Sequence, residues 1–87
     1  MKYVRKTVVE AFQYYKDEEF PAWAFEAFAN GKIKFTEEAL YIVAKDRNLK
    51  VHEGDYIIKK EYGELMACKK EAFERVYERV DWYWVHF

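Results

Sequence analysis

The most regular hydrophobic pattern in the chain lies between Gly54 and Val80. Tyr56–Lys60 is rich in β-branched and aromatic residues, which suit a half-buried strand. Glu61-Tyr62-Gly63 offers a glycine for a tight turn, so Glu64–Cys68 is predicted to return as an antiparallel strand beside it. This segment therefore predicts a β-hairpin.

The hydrophobic period changes from 2 to 3.6 after this hairpin. Phe73, Val76, Tyr77 and Val80 are spaced at i, i+3, i+4 and i+7, which places them on one stripe of a helix. The pattern predicts an amphipathic helix from Lys70 to Val80 that folds back over the hairpin.

An earlier helical pattern covers Glu18–Ala29. Asp17 is the predicted N-cap, Pro21 fits the first turn, and Asn30-Gly31 is expected to end the helix in a left-handed conformation. The apolar stripe of this helix consists of Phe20, Trp23, Ala24, Ala27 and Phe28.

Alternating or β-branched segments elsewhere predict four further strands, over Tyr3–Phe12, Lys32–Phe35, Leu40–Ala44 and Leu49–His52. The sequence thus predicts a single α+β domain over residues 1–87. Its sheet is expected to be mainly antiparallel, with five to six strands packed by two amphipathic helices.

The last seven residues, 81–87, are rich in aromatic side chains: Trp82, Tyr83, Trp84 and Phe87. An apolar tail of this kind is rarely left free in a soluble monomer. We expect it to add a last strand, and the alternative is a contact with a second copy of the chain.

The charge balance disfavours duplex nucleic acid as a partner. Charged residues make up 36% of the chain, but the formal net charge is −1. A grip on duplex DNA or RNA normally needs a basic excess, so this class is disfavoured. The single cysteine, the absence of a signal-peptide pattern and the absence of an apolar run of about 20 residues predict a soluble protein of the cytoplasm, without a membrane contact.

The sequence contains little material for catalysis. It has no serine, and Cys68 could pair with His52 or His86 only if it left its predicted place as a small buried residue in a strand. His52, Glu53 and Asp55 lie close together, but a turn with Asp55 bonded to the nearby backbone explains them without a metal. We therefore predict no enzyme activity, no metal site and no cofactor.

Aromatic and basic residues alternate around the hairpin. Rings that stack on a base and amines that meet a phosphate would together bind a nucleotide-sized anion. The predicted ligand-binding residues are Tyr56, Lys59, Lys60, Tyr62 and Lys69, and the alternative is that they only pack and solvate the hairpin.

Four motifs in the chain resemble a group of small proteins encoded by tailed phages and prophages of bacteria. They are the opening VVEAFQ at Val8–Gln13, GDYII at Gly54–Ile58, GELMACK at Gly63–Lys69 and the F-x-x-x-Y-E pattern at Phe73–Glu78. Glu53, where a proline is typical, and Lys70-Glu71, in place of Pro-Asp, depart from the pattern. The resemblance implies a protein of the cytoplasm of an infected or lysogenic bacterium.

Three functions remain open on this basis. The first is a non-enzymatic phage accessory protein that binds a host protein or a small nucleotide-like ligand, for example as a counter-defence inhibitor or sequestering factor. The second is an assembly module that forms homo-oligomers through its aromatic tail, at Trp82, Tyr83, Trp84 and Phe87. The third is a small hydrolase that uses Cys68.

Overall fold

The computed structural model describes residues 7–60, 62–80 and 83–86, which form eight strands and two helices. The predicted α+β class with mainly antiparallel strands is confirmed. Residues 3–6 of the predicted first strand lie outside the described part. In chain order the elements are β1 (Thr7–Gln13), α1 (Ala22–Ala29), β2 (Ile33–Phe35), β3 (Leu40–Val43), β4 (Asn48–Val51), β5 (Tyr56–Lys59), β6 (Leu65–Cys68), α2 (Lys70–Val76), β7 (Tyr77–Val80) and β8 (Tyr83–His86).

The strands form two antiparallel sheets, where the sequence pattern predicted one sheet of five to six strands. The larger sheet has the order β6-β5-β1-β8-β7, and the smaller one the order β2-β3-β4. β1 is the centre of the larger sheet, because Val8 lies opposite Val85 of β8 and Ala11 lies opposite Ile58 of β5. The pairing of β1 with β8 joins residues far apart in the chain and leaves no local sequence pattern. The sequence therefore could not show whether the strands form one sheet or two.

Each face of the larger sheet packs against a core, so the molecule has two cores. Side chains alternate along β5, so Ile57 points into one core while Tyr56 and Ile58 point into the other. The first core is covered by α1 and the smaller sheet, and the second by α2. The buried residues of the first core are Tyr14, Ala27, Ile33, Leu40, Ile42, Val51 and Ile57. Those of the second core are Val9, Tyr56, Ile58 and Phe73.

α1 begins at Ala22, four residues later than predicted. Pro21 is the N-cap residue and is extended, with φ −66° and ψ 157°, and a proline disfavours helical backbone in the residue before it. The prediction that Asp17 caps this helix is therefore wrong. The predicted end is confirmed: Gly31 has φ +75°, and the amide of Lys32 donates to the carbonyl of Ala27 at 2.8 Å.

α2 ends at Val76, and the predicted last turn of this helix is a strand instead. Tyr77 lies opposite His86 in the pairing of β7 with β8. The helical spacing was misleading because Tyr77 still packs on Phe73, with ring centroids 4.5 Å apart, although it does so from a strand.

The β5–β6 hairpin is confirmed in the predicted register. Ile57 lies opposite Ala67, and the amide of Lys60 donates to the carbonyl of Glu64 at 2.8 Å. Gly63 supplies the positive φ that the turn needs, at +82°.

Both helices are short, with eight residues in α1 and seven in α2. Neither of these two helices, the ones that the described ranges contain, has the length and apolar character needed to cross a membrane.

Candidate functional site

Tyr56, one of the predicted ligand-binding residues, is a core residue. Its side chain is 5% exposed, and its ring stacks on Phe73 with centroids 4.0 Å apart. Its hydroxyl donates to Oε1 of Glu74 at 3.1 Å. Burial, and next the hydrogen bond to Glu74, raise the pKa of Tyr56 to about 12. Tyr56 therefore has no free ring face for a ligand, which corrects the prediction for this residue.

The other four predicted residues do not converge on one pocket. Lys59 lies on the face of the sheet opposite to Tyr56, with Nζ 3.6 Å from Oε2 of Glu10 and 5.9 Å from the centre of the Trp23 ring. Lys60 and Tyr62 lie exposed at the hairpin turn. Lys69 follows the far end of β6, about 13 Å away along four strand residues. A joint site on the hairpin is thus not formed.

The aromatic tail adds a strand, as predicted, at least over Tyr83–His86, which form β8 and pair with β1. The Trp84 ring meets Phe73 edge-on at 4.8 Å and Tyr56 at 5.5 Å. The Trp84 ring therefore packs within the chain, which leaves less of its surface for contact with a second copy. Trp82 and Phe87, also predicted to form an interface, lie outside the described residues.

Cys68 has the surroundings of a structural cysteine. It is half-buried and packs against the second core. Burial, and next the charge of Asp55, raise the pKa of its thiol, which favours the protonated and poorly nucleophilic form.

The predicted turn around His52 is present. The backbone amide of His52 donates to Oδ2 of Asp55 at 3.1 Å, so the carboxylate is bonded to the turn as expected for this residue type. Among the residues that the structure describes, no three His, Cys, Asp or Glu side chains are grouped so as to hold a metal ion.

An exposed group of aromatic rings is the most prominent surface feature of the described residues. Phe25 is 61% exposed and Phe35 is 48% exposed, and the half-buried rings of Phe20 and Phe28 connect them. We call this surface the aromatic face; it consists of Phe20, Trp23, Phe25, Phe28 and Phe35.

Four rings of the aromatic face, those of Phe20, Phe25, Phe28 and Phe35, are in continuous contact. Phe28 stacks on Phe35 with centroids 5.1 Å apart, and Phe20 stacks on Phe28 at 6.1 Å. Phe25 contacts Phe20 at 6.4 Å. Because these rings come from α1, its preceding loop and β2, the face joins three segments of the chain.

The aromatic face is fixed from below by β1. The Phe12 ring lies 5.2 Å from Phe20 and 5.3 Å from Trp23, and both Phe20 and Trp23 pack against the first core. Rings held in this way lose little conformational entropy when they meet another surface.

Acidic residues predominate in the segments that carry the aromatic face, and Lys59, with Nζ 5.9 Å from the centre of the Trp23 ring, is a basic side chain next to it. Residues 17–31 contain four acidic residues and no Lys, Arg or His, and residues 35–44 contain two acidic residues and no basic one. The amine of Lys32 donates to the carbonyl of Gly63 at 3.3 Å, and Lys34 points to the opposite side of β2 from Phe35. The acidic residues of the first segment, all exposed, are Asp17, Glu18, Glu19 and Glu26, whereas Glu37 and Glu38 line a cavity together with Lys34 and Tyr41.

The aromatic face was not predicted from the sequence as a surface, although one signal for it is present. The apolar stripe of α1 was assigned to the core, and Ala24 and Ala27 are indeed 0% and 5% exposed. Phe25 lies off that stripe, next to Glu26. A large ring on the polar side of an amphipathic helix indicates a contact surface.

The motifs that resemble phage proteins are structural. Val8–Gln13 falls in β1 and Gly54–Ile58 covers the turn and β5, its neighbour in the sheet. The side-chain amide of Gln13 donates to the carbonyl of Gly54 at 3.1 Å, which joins the two motifs. Comparison of the chain with models of known protein families, with curated proteins and with solved structures finds no match in any of the three.

Proposed function

We propose that this chain is a non-enzymatic binding protein that docks a partner protein on its aromatic face. The observation that carries the proposal is the continuous exposed group of rings between Phe25 and Phe35. Exposed apolar patches of this kind mark interaction sites in soluble proteins, and aromatic anchors dominate the free energy of association at interfaces.

The acidic residues of α1 and of the loop before it indicate the chemistry of the partner. A basic segment that carries arginine or lysine beside apolar residues would be steered to the face by the carboxylates. Its guanidinium groups can stack on the Phe rings and pair with Glu26 or Glu19 at the same time. The partner is therefore proposed to be a protein with a basic and partly apolar surface.

The resemblance to phage and prophage proteins supports a bacterial host protein as this partner. In that setting the chain acts by occupying a surface, as an accessory factor that inhibits or sequesters the host protein, for example in counter-defence. The lack of serine and the raised thiol pKa of Cys68 favour action by contact over covalent catalysis.

Site-directed photocrosslinking tests the proposal. A benzoylphenylalanine at position 25 in the full chain, expressed in a bacterial host, should form an adduct with a host protein, and the crosslinked peptide should be rich in Arg and Lys. The same probe at position 62 is the matched control, because Tyr62 is 92% exposed and is an aromatic residue of the β5–β6 turn that contributes no ring to the aromatic face.

Variants of the face then measure its contribution. Phe25→Ser should weaken the binding of the identified partner about tenfold or more, as expected for an interface anchor, while Tyr62→Ser should leave it unchanged. The same adduct from positions 25 and 62, or equal loss in both variants, would contradict the proposal. An adduct between two copies of the chain would identify a second copy, rather than a host protein, as the partner of the aromatic face.

A further inference from the structure

The outer face of the smaller sheet carries a cross-strand row of two lysines with a tyrosine between them. Lys34 of β2 lies opposite Tyr41 of β3, and Tyr41 lies opposite Lys50 of β4. Directly opposed side chains in antiparallel strands are about 5 Å apart at Cβ. The three side chains alternate with buried neighbours, since Ile33, Ile42 and Val51 point into the first core.

Two adjoining open cavities border this row. One has a volume of about 570 Å³ and is lined by Lys34, Thr36, Glu37, Glu38, Tyr41 and Asn48. The other, about 410 Å³, lies between β4 and β6 and includes Arg47, Asn48, Lys50 and Lys69 in its lining. Asn48 is common to both, so the two cavities adjoin at this residue.

The cavity between β4 and β6 concentrates positive charge from two different sheets. Arg47 and Lys50 come from β4 and the loop before it, and Lys69 follows β6. Within the part of the chain that the structure describes, no carboxylate forms an ion pair with any of these three side chains. The acidic residue of this cavity, Asp55, is bonded to the backbone amide of His52.

The other cavity is mixed in charge, because Lys34 lines it together with two glutamates. Glu37 and Glu38 line it beside the half-buried Tyr41. Carboxylates accept hydrogen bonds from hydroxyl and amino groups, and a tyrosine ring offers a stacking surface for a base or a ribose. The combined surface is therefore cationic at one end. At the other end it carries an aromatic ring with carboxylate acceptors beside it.

We propose that a nucleoside oligophosphate binds across this surface. Its phosphates lie in the cavity between β4 and β6, where Lys50, Lys69 and Arg47 neutralise them. Its nucleoside lies over Tyr41, with hydroxyl or amino groups donating to Glu37 or Glu38. This site shares no stacking ring with the aromatic face, so the proposal is independent of the proposed protein partner.

Calorimetric titration of the full chain at low salt tests the assignment with three probes: adenosine triphosphate, inorganic triphosphate and adenosine. We expect adenosine triphosphate to bind more tightly than inorganic triphosphate, and adenosine alone to bind weakest. Lys50→Gln with Lys69→Gln should weaken both triphosphates about tenfold. Tyr41→Leu should weaken adenosine triphosphate about tenfold and leave inorganic triphosphate unchanged.

Matched variants separate a site from general charge attraction. Lys16→Gln with Lys60→Gln changes the net charge equally at two exposed positions away from the cavities, and Tyr62→Leu removes an exposed ring elsewhere. These controls should bind as the unchanged chain does. Equal weakening by the control pair, or absence of binding by the unchanged chain at millimolar adenosine triphosphate, would overturn the proposal. Tighter binding of an oligonucleotide than of the mononucleotide would overturn it in favour of single-stranded nucleic acid.

Discussion

The rings of Phe73 and Tyr56 lie face to face, with centroids 4.0 Å apart and planes inclined by 13°. Phe73 also stacks on Tyr77 at 4.5 Å and is met edge-on by Trp84 at 4.8 Å. These four rings come from α2, β5, β7 and β8, so one fully buried side chain joins four elements. The second core is built around Phe73.

Phe73→Ala should therefore be severely destabilising. Loss of a fully buried phenylalanine typically costs about 3–5 kcal/mol, which approaches the whole stability of a small domain. Urea unfolding followed by tryptophan fluorescence measures the loss, and Phe73→Leu should recover part of it because it leaves a smaller cavity.

Phe25→Ala is the matched control for this prediction, because it removes the same ring from an exposed helix position. Its effect on the free energy of unfolding should stay within about 1 kcal/mol. Equal losses for Phe73→Ala and Phe25→Ala would contradict the assignment of Phe73 to the core and of Phe25 to a contact surface.

Tyr56 should make stability fall at alkaline pH. Its pKa in the folded chain is about 12, against 10.0 for the ordinary group, so the unfolded chain loses the phenolic proton first. The contribution is fully present below pH 10 and is lost as the pH rises towards 12, by an amount on the order of 2 kcal/mol. Burial raises the pKa of Tyr14 and of Tyr77 as well, so these residues act in the same direction.

Unfolding measured between about pH 9 and pH 12 should show a shallower decline for Tyr56→Phe than for the unchanged chain. Tyr62→Phe, which alters an exposed ring, should keep the original slope. A decline of equal slope in Tyr56→Phe and the unchanged chain would show that the Tyr56 hydroxyl does not contribute to this dependence.

Gly54 should not tolerate a side chain without a cost in stability. Its φ is +94°, and a Cβ built there meets no atom within 4 Å, so only backbone strain opposes the change. Gly54→Ala is expected to lower the free energy of unfolding by about 1–2 kcal/mol. Gly54→Asn should cost less, because asparagine adopts positive φ more readily.

Thermal unfolding of the two Gly54 variants checks this order. Ala72→Gly, at an exposed position in α2, is a useful reference, with an expected cost of about 1 kcal/mol from helix propensity alone. A Gly54→Ala chain as stable as the unchanged one would mean that the turn can relax to a negative φ.

Trp84→Ala should destabilise the fold rather than relieve an oligomer contact. The ring contacts both Phe73 and Tyr56, and its loss is expected to cost about 3 kcal/mol or more. Sedimentation and urea unfolding together test this. Loss of an oligomer without loss of stability would instead support assembly through the tail.

Local patterns specified most of the individual elements correctly. The β5–β6 hairpin was predictable because a two-residue alternation meets a turn glycine at Gly63, and the end of α1 because Asn30-Gly31 can adopt a left-handed conformation. Both signals arise from the backbone preferences of a few neighbouring residues. Neither depends on where the rest of the chain lies.

The burial of Tyr56, one of the predicted ligand-binding residues, could not be read from such local patterns. The sequence shows that Tyr56 and Lys59 alternate with their neighbours, but not which face of the strand is buried. In the structure both faces are buried, so the tyrosine enters a core. The lysines and tyrosine that do share an open face, Lys34, Tyr41 and Lys50, are distant in sequence and become neighbours only through the register of three strands.

By itself, the sequence determined an α+β chain with mainly antiparallel strands, two short helices and the turns between them, since these follow from periodicity and from the conformational freedom of glycine and proline. Only the tertiary structure decided that Tyr77–Val80 leaves the helix to pair with β8, that the strands divide into two sheets, and that Phe25 and Phe35 remain exposed. Those outcomes depend on long-range strand pairing and on which side chains the packing of helices against sheets buries. Such contacts join residues far apart in the chain, and a local pattern does not encode them.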